Sequence, residues 1–182
     1  MRVRVYIASS LDGFIAGPGG DLSWLPAPPD GSADDFGWNA FISEVGCLLM
    51  GRGTYDAVAA MDVAWPHPDR PTLVATHRPL VAAPPRVYPT SGTIRELVAR
   101  AAERADGRDV YLDGGAMIRQ ALDANLVDDL MVTLCPVVLG AGHPLFAGAR
   151  RRHRLVLRKQ SELPGGLVQL TYEPVREATL AS

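Results

Sequence analysis

Cys47-Leu48-Leu49-Met50-Gly51-Arg52-Gly53-Thr54-Tyr55 decides how this chain of 182 residues is read. Cys47 to Met50 is apolar throughout, without polar alternation, as in a short strand of a parallel sheet that is covered on both faces. Gly51 and Gly53 then turn the chain from that strand into a helix near Tyr55 to Met61. A second junction of the same kind lies at Tyr111-Leu112-Asp113-Gly114-Gly115-Ala116, where Asp109 to Leu112 is a strand and Gly114-Gly115 opens a helix that runs through Ala124. Strands that pass directly into helices predict an α/β architecture.

Toward the N-terminus, Val3, Val5 and Ile7 alternate with Arg2, Arg4, Tyr6 and Ala8, so a strand ends near Ser9. A turn at Leu11-Asp12-Gly13 and a short extended piece from Phe14 to Ala16 follow. Gly17-Pro18-Gly19-Gly20 opens a loop that continues through the proline-rich stretch from Pro26 to Gly31, and loops of that length are usually functional. Ser32 or Asp34 is placed to cap a helix whose inner face carries Phe36, Phe41, Ile42 and Val45, with Trp38 to one side.

Toward the C-terminus, Thr72 to Ala75 and Val87-Tyr88 read as strands. Thr93 to Ala105 has helical spacing, and Thr93 with Glu96 fits a capping box. Leu130 to Val138 reads as a long strand, and Leu155 to Lys159 with Leu167 to Tyr172 as a hairpin around Pro164-Gly165-Gly166. The order predicts an α/β sandwich with a mostly parallel sheet and an antiparallel edge, formed as a single domain over residues 1–173 with a tail at 174–182.

A composition of 47% apolar and 21% charged residues belongs to a water-soluble globular chain, and a net charge of -2 gives no basic footprint for nucleic acid. The longest basic cluster is Arg150 to Arg152. No apolar run reaches the length of a membrane span, and no signal-peptide core follows Met1, so a cytoplasmic protein without a membrane partner is expected. Cys47 and Cys135 sit in apolar runs and read as buried hydrophobes. Four scattered histidines without paired spacing give no metal site. The basic residues are seventeen arginines and a single lysine, Lys159.

The two glycine turns suit an anion, because glycine lets the backbone approach closely while unpaired N–H groups at a helix start face negative charge. Glycine also serves simply to reverse an α/β chain, so one turn alone would say little; two of them, with an arginine and a threonine in the first, favour a ligand with two phosphates. Asp56 stands where a third Rossmann glycine would fall, and no Walker A lysine follows either loop. A dinucleotide on a non-Rossmann sheet therefore fits better than phosphoryl transfer.

Tyr6-Ile7-Ala8-Ser9-Ser10-Leu11-Asp12-Gly13-Phe14-Ile15-Ala16, Leu49 to Tyr55, Tyr111 to Ala116, and Pro136-Val137-Val138-Leu139-Gly140 together resemble the dihydrofolate reductase superfamily. The match is closest to the bacterial branch similar to the reductase domain of the riboflavin-pathway deaminase-reductase, and it runs from about residue 2 to residue 173. The resemblance implies a dihydrofolate-reductase-like three-layer sandwich with a central sheet of about eight strands, NADPH as cofactor, and a homodimer. It implies that Ala8, Ile15 and Ala16 flank the nicotinamide, that Gly51, Arg52, Gly53 and Thr54 hold phosphate, and that Thr76, His77 and Arg78 surround the adenosine end. Gly114, Gly115, Ala116 and Met117 would present helix N–H groups to the pyrophosphate. Arg52 with Arg78 favours NADPH over NADH, since a 2'-phosphate needs donors that a bare ribose does not.

Asp35 lies sixteen positions before Gly51, the register of the family's pterin-binding acid, with Trp38 following as in that helix, and is the expected catalytic carboxylate. A first-turn aspartate also stabilises a helix by itself. Thr133 resembles the hydroxyl that accompanies that acid. Trp24, in the long loop, can stack on a flat heterocycle or anchor the loop, and Asp12 can bind substrate or form an Asx turn before Gly13. The loop from Gly17 to Gly31 and Gly53 in the cofactor turn depart from a housekeeping dihydrofolate reductase. The lysine that riboflavin-pathway enzymes carry near the first strand has no counterpart here. The expected activity is NADPH-dependent reduction of a C=N or C=O bond in a small pterin- or pyrimidine-like heterocycle, the alternative being a dinucleotide-binding homodimer with a vestigial pocket.

Overall fold

A computed structural model describes residues 1–26, 36–61 and 63–176. Eight strands form one sheet in the order β5-β4-β3-β6-β1-β7-β10-β9. These are β1 (Val3–Ser10), β3 (Val45–Gly51), β4 (Thr72–Ala75), β5 (Val87–Thr90), β6 (Asp109–Asp113), β7 (Asp129–Cys135), β9 (Leu155–Leu163) and β10 (Leu167–Pro174). β5 through β7 run parallel, and β10 is antiparallel to both β7 and β9. β2 (Phe14–Ala16) pairs separately with the two-residue β8 (His143–Pro144).

Alternation along the strands sorts the side chains into two cores. Val3, Val5, Cys47, Leu49, Val110, Leu112, Leu130 and Val132 face α3 (Ile94–Arg104) and α4 (Gly115–Asp123), which contribute Leu97, Val98, Ala101, Ile118 and Leu122. On the other face Leu48, Met50, Val74 and Tyr111 pack with Phe41 of α1 (Trp38–Glu44) and Tyr55 of α2 (Arg52–Ala59). The result is the expected three-layer sandwich. Arg4, buried on the α1 side, donates from Nε to Asp129 at 2.9 Å, pairs with Asp109 and Glu44, and lies 5.0 Å over the Phe41 ring. Its charge is thus carried inside by three carboxylates rather than left alone.

Several element ends differ from the expected ones. α1 begins only at Trp38, because Gly37 has φ +81 and breaks the helix there, while Ser32 and Asp34 lie outside the described residues. Val45 belongs to β3 rather than to the helix. α2 starts at Arg52, so the glycine turn is itself the first helical turn. β7 stops at Cys135 and not Val138, since Pro136 has no N–H to continue the ladder and the Val137 N–H turns back to the Cys135 carbonyl at 2.8 Å. α3 carries the expected capping box between Thr93 and Glu96. Among the described residues no helix is long and apolar enough to cross a membrane.

Candidate active site

A cleft of about 760 Å³ opens at the carboxyl ends of β5, β4, β3, β6 and β1, where open parallel sheets bind their ligands. Along the sheet its floor changes character. Thr90 to Gly92 follows β5, Thr76 and His77 follow β4, and Gly51 to Thr54 joins β3 to α2. Beyond β6 the wall becomes Tyr6, Ile7, Ala8, Tyr111 and Trp38, roofed by Ile15 and Ala16 of β2 and by Leu22 and Leu25.

The two glycine turns abut. Gly114 has φ +95, and a Cβ placed on it would come within 2.5 Å of Thr54 Oγ1 and 3.7 Å of the Gly51 nitrogen. A Cβ on Gly115 would meet the Pro144 carbonyl at 2.7 Å. The N-caps of α2 and α4 are glycines with no side-chain hydrogen bond to the helix start, unlike α3 with its capping box. Two helix N-termini without a side-chain cap therefore line one cleft side by side, with no room for a Cβ at 114 or 115, a donor set that fits a diphosphate. Arg52 lies beside them, its Nε donating to Asp56 at 2.7 Å.

Ala8, Ile15, Ala16, Gly51, Arg52, Gly53, Thr54, Thr76, His77, Gly114, Gly115, Ala116 and Met117 all line this cleft, as does Trp38. Arg78 does not: it is exposed, and its backbone N–H donates to Thr76 Oγ1 at 3.0 Å. Asp12 is also placed elsewhere. Its carboxylate accepts the Ser10 hydroxyl at 2.7 Å and the backbone N–H groups of Leu139 and Gly140 at 3.1 and 2.7 Å. The Ser10 hydroxyl, with those two amides, holds the carboxyl down at about 2, so Asp12 staples two loops together and does not line the cleft. Thr133 is buried on β7 with Oγ1 accepting from Gln169 Nε2 at 3.1 Å, and that amide also donates to the Phe36 carbonyl at 2.9 Å. Trp24 lies between Leu22 and Leu25 of the lining in sequence but is not itself part of it, and its Nε1 donates to the Asp21 carbonyl at 3.2 Å. Asp35 lies outside the described residues.

The sequence from residue 2 to residue 168 matches the family model of the RibD C-terminal domain. This chain belongs to that family. A putative riboflavin biosynthesis protein from Shewanella sp. PV-4 superposes on this RibD C-terminal domain with a TM-score of 0.83 at 31% identity, over 97% of this chain and all of that one. The deaminase/5-amino-6-(5-phosphoribosylamino)uracil reductase of Thermotoga maritima gives 0.70 at 16% identity, over 96% of this chain and 56% of that one. Dihydrofolate reductase from Enterococcus faecalis, complexed with NADP(H), gives 0.63 at 16% identity over 95% of this chain and 96% of that one. The fold of this RibD C-terminal domain is that of dihydrofolate reductase, a reductase fold.

One carboxylate of this RibD C-terminal domain went unassigned in the sequence. Asp113 ends β6 and lines the cleft, where it accepts the Gly114 N–H at 2.7 Å and lies beside the Tyr111 hydroxyl. Burial pushes its carboxyl up to about 6, against the pull of Gly114 and Tyr111. Tyr111 donates its own proton to the Tyr6 carbonyl at 3.0 Å, and burial followed by the Asp113 charge raises that phenol well above its usual range. The available signal was an aspartate ending an apolar strand, Val110-Tyr111-Leu112-Asp113, two positions after a tyrosine and so on its face of the sheet. Among the described residues no group of three or more His, Cys, Asp or Glu side chains is placed to hold a metal ion.

Proposed function

We propose that this protein is an NADPH-dependent reductase of a C=N or C=O bond in a small pterin- or pyrimidine-like heterocycle. The observation that carries the reading is the union, in one cleft, of two uncapped helix N-termini at one end with an aromatic and apolar wall at the other. The first arrangement suits a pyrophosphate and the second suits flat rings. NADPH supplies a hydride; the residues at 8, 15 and 16 would hold the nicotinamide flat, and Arg52 with His77 would meet the 2'-phosphate end.

The bond that accepts the hydride also needs one proton. Asp113, whose carboxyl is half protonated near pH 6, faces the cleft and can hold that proton. The family register points to Asp35 for the same task. Substrate-dependent oxidation of NADPH, followed at 340 nm against a panel of pteridines, pyrimidines and quinones, tests the reading. Failure of every substrate in a protein that still binds NADPH would leave a dinucleotide-binding protein.

We further propose a cytoplasmic homodimer. β9 is an edge strand of the sheet, and Leu155, Val156 and Leu157 on it are exposed, as are Val138, Phe146 and Val168. A bare apolar edge is the kind of surface that a second copy covers. Leu145 is fully buried in the protein's own core and is not part of that surface.

A further inference from the structure

All but four of the seventeen arginines are exposed, the four being Arg4, Arg52, Arg70 and Arg119. Three of them meet carboxylates: Arg4 pairs with Glu44, Asp109 and Asp129, Arg52 with Asp56, and Arg70 with Asp69. Arg119, half-buried, pairs with no carboxylate among the described residues. A guanidinium held partly out of water without a counter-charge is unfavourable, so such a group marks where an anion from outside the chain would be stabilised.

Arg119 stands on the second turn of α4 and lines the cleft. Its Nη1 donates to the carbonyls of Pro144 and Leu145 at 2.7 and 3.2 Å, which ties α4 to β8 and, through the pairing of β8 with β2, to the roof of the cleft. A Cβ placed on Gly115 would stand 3.0 Å from that Nη1 and 3.3 Å from Ile15 Cδ1, so guanidinium, helix start and roof converge at Gly115. The N–H groups on Nε and Nη2 have no hydrogen-bond partner among the described residues. The other basic side chain at this end, His143, is exposed.

We propose that Arg119 is the counter-charge for the phosphate on the nicotinamide side of the bound dinucleotide. The inference rests on the reading of this cleft as an NADPH site and adds a residue to it. The N–H groups that start α4 offer partial charge, whereas Arg119 brings a full charge on a planar fork suited to phosphate oxygens. Its neighbours set the side: Ile15 meets it at Gly115, while Thr76 and His77 lie at the far end after β4. The two carbonyls hold the guanidinium in place before a ligand arrives, so little side-chain freedom is lost on binding. NADPH and NADH carry this phosphate alike, so Arg119 strengthens both without choosing between them.

The test titrates the full chain by calorimetry with NADPH, with NADH and with adenosine 2',5'-bisphosphate, which lacks the nicotinamide-side phosphate. The same titrations follow in Arg119→Gln and in Arg119→Lys, which keeps the charge. Arg119→Gln is expected to weaken NADPH and NADH by one common factor of roughly tenfold or more and to leave the bisphosphate within about twofold of the parent, with Arg119→Lys in between. Unchanged NADPH affinity in Arg119→Gln overturns the inference. An equal loss for the bisphosphate also overturns it, by showing that the residue only keeps the cleft in shape. If Arg119→Gln does not fold, the same split between NADPH and the bisphosphate is read in Arg119→Lys, and its absence there overturns the inference. A parent that binds no NADPH overturns the dinucleotide reading and this inference with it.

Discussion

The carboxyl of Asp113 accepts the amide proton of Gly114 at 2.7 Å, so one residue both ends β6 and fixes the turn that starts α4. That contact survives in Asp113→Asn, whose side-chain oxygen accepts equally well, while the charge is removed. The pH dependence follows from the carboxyl's rise from its ordinary 3.8 to about 6. Folding then binds a proton more tightly than the unfolded chain, so this contribution is fully present below about pH 4 and is lost as pH rises through 6. Asp113→Asn should accordingly match the parent in stability at pH 4 and exceed it by about 1–3 kcal/mol at pH 8, read from urea unfolding at both pH values. If Asp113 holds the proton, parent turnover falls above pH 6 and the variant's falls at least tenfold throughout.

Gly114→Ala and Gly53→Ala form a matched pair. At 114 the new methyl would need a left-handed backbone and would press on Thr54 Oγ1 at 2.5 Å, whereas at 53 nothing lies within 4 Å and φ is ordinary. The first should cost about 1–3 kcal/mol and weaken NADPH at least tenfold. The second, placed in the first turn of α2, should be neutral or stabilising by up to about 1 kcal/mol. Thermal unfolding and NADPH titration of both variants give the comparison, and equal behaviour would count against close packing of the two turns.

Arg52→Ala should remove most of a preference for NADPH over NADH of at least tenfold, equivalent to about 1.4 kcal/mol. Arg78→Ala should leave the preference in place, because that side chain lies outside the cleft. Cofactor titration by fluorescence separates the two, and loss of preference in Arg78→Ala would mean that the loop after β4 closes over the ligand.

How far the sequence could be read depended on how far apart the interacting groups are. The alternation of Val3, Val5 and Ile7 and the glycine turns at 51 and 114 are local patterns, and the strand and the two strand-to-helix turns they predict are present, the turns lining the cleft. For Asp12 the sequence leaves substrate binding and a turn both open, because what occupies its carboxylate, the N–H groups of Leu139 and Gly140, comes from 127 and 128 positions away. Thr133 is likewise tied by Gln169, 36 positions on, across the β7–β10 pairing. For Asp113 the spacing within Tyr111-Leu112-Asp113 gives the shared face of the sheet, but the rise of its carboxyl to about 6 comes from burial, which spacing does not show.

Light scattering at micromolar concentration should return twice the chain mass of 19.5 kDa. Leu157→Lys puts a charge on the exposed edge of β9, where 46% of the residue's surface is accessible, and should return a monomer with unchanged thermal stability at high dilution. A parent protein that scatters as 19.5 kDa refutes the homodimer.

The central position of β1 imposes an order on birth at the ribosome. β1 precedes the other strands of this sheet in sequence but lies between β6 and β7, and its Arg4 pairs with Asp129, 125 residues later. At about 5–20 residues per second, β1 waits on the order of 6–25 s for Asp129 to be made. Until β6 and then β7 are made, Val3, Val5 and Ile7 lack the strands they pair between, so the middle of the sheet is completed only late in synthesis of the domain.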